Sequence, residues 1–240
     1  MSENTSPNGM ATVMGIFAHP DDPEFFCGGT FARWAAEGKR VIFVLATSGD
    51  KGSHDLTITS EQLVAIREAE ERAAAARLGV EEVIFLRYPD GELQPTLDLR
   101  RQLTRLIRLK KPDAVVTNDP TVRWHGTQYI NHPDHRAIGD AALDAVFPAA
   151  RDHLTFPELF QVEGLAPHKV TTVYLCGTHE PNARIDVTAY LEAKIAALRE
   201  HKSQIADMEE MERRQRANVD AEFVGDGPRY TETFRVFTLR

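Results

Sequence analysis

The chain has 240 residues, of which 42% are hydrophobic and 27% charged, and a formal net charge of −8 from 36 acidic against 28 basic residues. That is enough chain to bury a large core in one domain, and its acidic balance, with no basic stripe along the sequence, argues against a nucleic-acid partner. The two cysteines, Cys27 and Cys176, lie far apart and outside any CxxC, so a disulfide framework is not expected and a reducing compartment is.

The first residues, "MSENTSPNGMAT", are polar and read as a loose tail over 1–11. From there, short runs rich in β-branched residues alternate with longer amphipathic stretches. "TVMGIFA" (12–18), "RVIFVLA" (40–46), "EVIFLRY" (82–88), "DAVVTND" (113–119) and "VTTVYLC" (170–176) lack polar–apolar alternation. They read as strands buried on both faces. Between them, "EFFCGGTFARWAAEG" ends on Gly38, and a second helix opens with the capping-box pair Thr59 and Gln62 and closes at Gly79. A third stops before Pro112, and a fourth begins with Pro133 in its first turn. Residues 148–169 carry three prolines and scattered aromatics and read as a long loop overhanging the site as a pocket wall, with a subunit contact as the alternative. A single helix is expected over roughly 188–215, then an irregular stretch and a last strand in "ETFRVFTLR". "RRQR" at 213–216 follows "MEEME" and reads as a solvated helix face.

Strand–helix alternation implies βαβ units: an α/β fold, a Rossmann-like three-layer sandwich with a mostly parallel sheet, forming one domain over 1–240. Such sheets bind ligands beyond the carboxyl ends of their strands. "AHPDD", with His19, Asp21 and Asp22, stands at such an end, and "NHPDH" (131–135) follows the strand that ends near Asp119. Unpaired carboxylates beside a core cost free energy, so a fold gains nothing from this cluster and a site explains it. His19, Asp22 and His135 would form a two-histidine, one-carboxylate set with an open position, which favours catalytic zinc, with ferrous iron also compatible. "CGGTFA" is not GxGxxG, and neither a P-loop nor GxSxG occurs.

At this point the chain resembles the LmbE-like, or PIG-L-type, family of zinc-dependent N-deacetylases. "AHPDDPEFFCGGTFARWAAEG", "TSGDKG", "IREAEERAAAARLG", "YPDGEL", "HPDH" and "HKSQ" occur in the family's order. The resemblance implies one zinc per chain on His19, Asp22 and His135, with Asp21 as general base and a protonated His132 stabilising the oxyanion. It implies that Asp134 orients an imidazole from behind. Arg67 and Asp50 are candidate substrate-binding residues; the competing readings are a surface ion pair of Arg67 with Glu70 and a turn-forming Asp50. Pro23 stands where the family commonly has an acidic residue, which is expected to reshape the helix start and spare the metal ligands.

The implied reaction removes an N-acetyl group from a small-molecule amino-sugar conjugate. An amidase acting on a larger acyl or thiol conjugate, and an inactive binding module on the same fold, are the alternatives. The expected protein is cytoplasmic, with no membrane or nucleic-acid partner, and the resemblance implies a homo-oligomer.

Overall fold

Apolar strand residues send alternate side chains to opposite faces of a sheet, and here both faces are covered by helices. The computed structural model describes residues 2–3 and 10–240. In chain order the elements are β1 (Ser2–Glu3), β2 (Thr12–Phe17), α1 (Asp22–Ala36), β3 (Arg40–Thr47), α2 (Ser60–Leu78), β4 (Glu82–Tyr88), α3 (Leu97–Lys110), β5 (Ala114–Asn118) and a small hairpin, β6 (Trp124–His125) and β7 (Tyr129–Ile130). There follow α4 (Pro133–Val146), α5 (Pro157–Gln161), β8 (Thr172–Cys176), β9 (Ala183–Asp186), α6 (Leu191–Leu198), α7 (Met208–Ala217) and β10 (Thr231–Thr238).

The main sheet runs β1-β9-β10-β8-β5-β2-β3-β4, with β8, β5, β2, β3 and β4 parallel and β10 antiparallel to both of its neighbours. On β2 and β3, Val13, Phe17, Val41, Phe43 and Leu45 join Phe31, Trp34 and Leu78 of α1 and α2. Met14, Ile16 and Val44 face the other way, against Leu103 and Ile107 of α3 and Ile138 of α4. The strand order reverses at β2, between β3 and β5, so a crevice opens above the carboxyl ends of β2 and β5. The α/β sandwich expected from the sequence is the fold observed.

Helix α1 is broken at Cys27 (φ −153°). Its second half starts on the Glu232 carboxylate, which accepts the Gly29 and Thr30 amides at 3.1 and 2.7 Å. A side chain on Gly29 would meet Val187 at 2.7 Å, so glycine is needed for this close approach. Pro23 takes a first-turn position, where a missing N–H costs nothing.

Four expectations are corrected. Strand β4 is only half-buried along most of its length, because it is an edge strand. The helix expected over 188–215 is two helices, α6 and α7, separated by "HKSQ", whose Ser203 and Gln204 bond to Glu70 and to the Gly52 carbonyl instead of continuing a helix. Residues 148–169 lead from α4 into β8 and so lie at the amino end of the sheet, away from the crevice. There the buried Arg108 guanidinium donates to the carbonyls of Ala149, Ala150, Asp152 and Thr155, and His168 Nε2 lies 2.7 Å from the Pro112 carbonyl. Of the tail expected over 1–11, residues 1 and 4–9 lie outside the described residues; Met10 is buried and the Ala11 amide donates to Asp113. Among the described residues, no helix is long and apolar enough to cross a membrane.

Candidate metal centre

The loop leaving β2 carries three polar residues in four positions. His19 and Asp22 are buried, and the His19 amide donates to Asp22 Oδ2 at 2.8 Å, closing the turn that opens α1. Between them Asp21 adopts φ 93°, a left-handed conformation that costs a non-glycine residue roughly 1–2 kcal/mol. Asp21 stands at the N-cap position, but its side chain does not cap the helix. The carboxylate is left for other work.

Across the crevice, α4 begins on His132, whose Nδ1 accepts the Asp134 amide at 3.2 Å. One turn on, His135 brings Nε2 to 3.0 Å from Asp22 Oδ1, while His19 Nδ1 lies 3.3 Å from Asp22 Oδ2. Ligand atoms of His19, Asp22 and His135 all fall within 4.8 Å of one another, and all three residues are buried. Their other edges are occupied. His135 Nδ1 lies 2.9 Å from Asn131 Oδ1, and His19 Nε2 lies 3.1 Å from Asp90 Oδ1 and 3.4 Å from Asp134 Oδ2. Outer contacts of this kind fix a tautomer and aim the free nitrogen. Asp134 is fully buried and accepts the Gly91 and Leu93 amides at 2.7 and 3.3 Å. Its oxygens are thereby committed, so the inward-facing set is His19 Nδ1, Asp22 and His135 Nε2. Two imidazole nitrogens and a carboxylate, with no thiolate, fit a divalent metal with an open position.

The electrostatics agree with a cation-ready cluster. Burial opposes ionisation of Asp22, yet His135 and His19 hold its carboxyl well below the usual range. Burial likewise opposes charge on His19, but Asp22, Asp134 and Asp90 raise its pKa well above the ordinary value. For Asp21, burial pushes the carboxyl up to about 6, with the Arg67 guanidinium pulling the other way. His132 is shifted down by burial and by His19. With Nδ1 accepting a backbone N–H, its proton sits on Nε2; this is the geometry of a neutral imidazole, where the sequence reading expected a protonated one.

The two candidate substrate-binding residues are bound to protein. Arg67 is buried and donates Nη2 to the Pro20 carbonyl at 2.7 Å and to Asp21 Oδ2 at 3.2 Å. The alternative Arg67–Glu70 pair does not form, since Glu70 accepts from Ser203. Asp50 Oδ1 accepts the Asp90 amide at 2.8 Å, which orders the loop after β4. A cavity of about 660 Å³ between α2 and β4 is lined by Ser48, Asp50, Glu68, Arg72, Arg87 and Pro89 among others, and by none of His19, Asp22 and His135.

Sequence reasoning missed Asp90 and Asn131. Asp90 lies in "YPDGEL", at the carboxyl end of β4, where a ligand-facing carboxylate was to be sought. Asn131 stands four residues before His135, the spacing of neighbours on one helix face.

Residues 14–146 match the family described as PIG-L: GlcNAc-PI de-N-acetylase. The diacetylchitobiose deacetylase of Thermococcus kodakarensis is 32% identical over 200 residues, covering 83% of this chain and 72% of that protein. The 1D-myo-inositol 2-acetamido-2-deoxy-alpha-D-glucopyranoside deacetylase of Mycobacteroides abscessus is 30% identical, over 80% of this chain and 81% of the relative. Among solved structures, the N,N'-diacetylchitobiose deacetylase of Pyrococcus horikoshii, complexed with its inhibitor MPG, superposes with a TM-score of 0.85 at 34% identity, covering 96% of this chain and 85% of that one.

Proposed function

Because this chain belongs to the PIG-L family of de-N-acetylases, we propose that it hydrolyses the N-acetyl amide of a small amino-sugar conjugate, yielding acetate and a free amine. The single observation that carries the reading is the convergence of His19, Asp22 and His135 beside Asp21 at the point where the strand order reverses.

The donor set favours zinc, held by His19, Asp22 and His135. A metal there would supply Lewis acidity and make water acidic enough to serve as a nucleophile near neutral pH. Asp21, raised toward neutrality, has the basicity to take the proton of water as it adds to the acetyl carbonyl. The same carboxyl then returns that proton to the departing nitrogen as the C–N bond breaks. The carbonyl oxygen gains charge in this step, and His132 Nε2–H is the donor placed to meet it; losing one such donor typically costs about 3 kcal/mol. Asp134 and Asp90 hold the His19 ring from behind. Arg67 steadies the base.

The relatives named above act on diacetylchitobiose and on an N-acetylglucosaminyl inositol, so an N-acetylglucosamine unit linked to a second group is the substrate class favoured here. Retention of every polar group the reaction needs speaks against an inactive binding module. Acetate and amine release from a panel of N-acetylglucosamine conjugates, diacetylchitobiose among them, tests the reading against amides bearing longer acyl groups. Preferential turnover of a longer acyl amide would replace it with the amidase alternative.

A further inference from the structure

Two segments in the family's order, the Arg-bearing helix and "HKSQ", have no part in the reaction beyond the contact of Arg67 with the base, and the helix grips one peptide bond with "HKSQ" behind it. Arg67 and Glu71 lie one turn apart on α2. Arg67 Nη2 donates to the Pro20 carbonyl at 2.7 Å, and Glu71 Oε2 accepts the Asp21 amide at 3.1 Å. The Pro20 carbonyl and the Asp21 amide are the two poles of a single planar peptide group, so α2 grips it from both ends. This peptide leads directly into the left-handed Asp21 (φ 93°). Strained residues of this kind persist only where surrounding structure holds them.

The grip is backed from behind. His201 Nε2, in the break between α6 and α7, lies 3.9 Å from Glu71 Oε2 and 3.4 Å from Glu24 Oε2, and all three residues are fully buried. Ser203 binds Glu70 through its amide and hydroxyl at 2.8 and 2.6 Å, and Gln204 Nε2 donates to the Gly52 carbonyl at 2.9 Å. The Ser203 bonds pin α2 from its outer side, the Gln204 bond ties the segment to the loop after β3, and together they seat His201 behind Glu71. Gly49 completes the fit, since a Cβ there would lie 2.1 Å from Arg67 Nη1.

We propose that Glu71 is a positioning residue which, together with Arg67, clamps the Pro20–Asp21 peptide and so aims the Asp21 carboxylate at the substrate amide, with His201 as the backstop of the clamp. The inference rests on Asp21 being the base. Glu71 touches neither a metal ligand nor substrate; it acts through the backbone of its neighbour. Loss of the clamp relaxes Asp21 toward ordinary backbone angles and displaces its carboxylate, which lowers turnover and leaves substrate and metal binding in place.

The test uses the full, zinc-loaded chain with Glu71→Met, Glu71→Gln and Asp21→Asn, assayed on the conjugate turned over fastest in the acetate-release panel. Glu71→Met is expected to lose about 10- to 100-fold in kcat, with KM within about twofold and zinc content unchanged. Glu71→Gln keeps an oxygen that can accept the Asp21 amide and recovers most of the loss. Wild-type kcat in Glu71→Met, equal impairment of the Gln and Met variants, or loss of zinc in either would overturn the clamp. If metal-replete Asp21→Asn turns over normally, the base assignment fails and the clamp with it. An inactive Asp21→Asn beside a fully active Glu71→Met sinks the clamp alone. Hydrogen exchange of the wild-type protein gives a check that needs no variant to fold: the Asp21 amide should be protected, and exchange at the rate of an exposed amide would contradict the proposal.

Discussion

Asn131 and His135, four residues apart across the start of α4, are joined by a 2.9 Å contact between Oδ1 and Nδ1. The contact requires the imidazole to carry its proton on Nδ1, which leaves Nε2 free toward Asp22. Asn131 is itself fixed by its side-chain donation to the Val122 carbonyl at 2.8 Å. Replacing Asn131 with Ala should therefore weaken zinc retention by about 10-fold or more, the usual cost of losing such an outer partner. Competition against a chelator of known affinity measures this; equal retention by variant and wild type would remove Asn131 from the design.

Asp21→Asn keeps the size of the side chain and its contact with Arg67 but cannot take a proton. The expected outcome is full metal content with kcat lower by about 100- to 10,000-fold, the range over which a positioned base contributes. Single-turnover acetate release on the metal-replete variant checks it.

The convergence of His19, Asp22 and His135 was readable from the chain because they sit in two short motifs, each downstream of a run with the pattern of a buried strand. The fold was readable for the same reason: β2, β3 and β5 carry apolar runs without polar alternation, and a doubly covered sheet suits that pattern. What stayed hidden depends on contacts between distant segments. Arg67 and Glu70 have the spacing of a surface pair, yet Arg67 points into the end of the sheet and Glu70 out to Ser203. Nothing in "HKSQ" forbids a helix; the break comes from its bonds to Glu70 and Gly52. Prolines and aromatics in 148–169 suggested a pocket wall, whereas Arg108 binds that segment at the opposite end of the sheet.

That last correction has a measurable consequence. Leu159 is fully buried and Phe160 is 44% exposed. Leu159→Ala should cost about 2–5 kcal/mol of stability, with KM and kcat of the folded protein unchanged, and Phe160→Ala should alter neither. Urea unfolding and steady-state kinetics on the two variants test this. A rise in KM for either would return the segment to the active site.

Glu68 gives a pH prediction free of the metal centre. Hydrogen bonds from Arg87 hold its carboxyl down to about 2 from an ordinary 4.5, against burial and with help from Ser48 and Arg72. A depressed carboxyl stabilises the fold above its unfolded value and loses that contribution as pH falls through the folded one. Glu68→Gln should thus be less stable than wild type at pH 7 by on the order of 1–3 kcal/mol, the exposed guanidiniums being screened. The gap should narrow as pH drops from about 4.5 toward 2. Urea midpoints across that interval measure it, and a gap independent of pH would contradict the assignment.

The most direct test of the account is the zinc content per chain of wild type and His135→Ala, both dialysed to equilibrium against the same free zinc. One ion per wild-type chain and a substoichiometric content in the variant are expected, with acetate release falling in step. Equal zinc in the two proteins would contradict it, by taking His135 out of the ligand set on which the reaction is built.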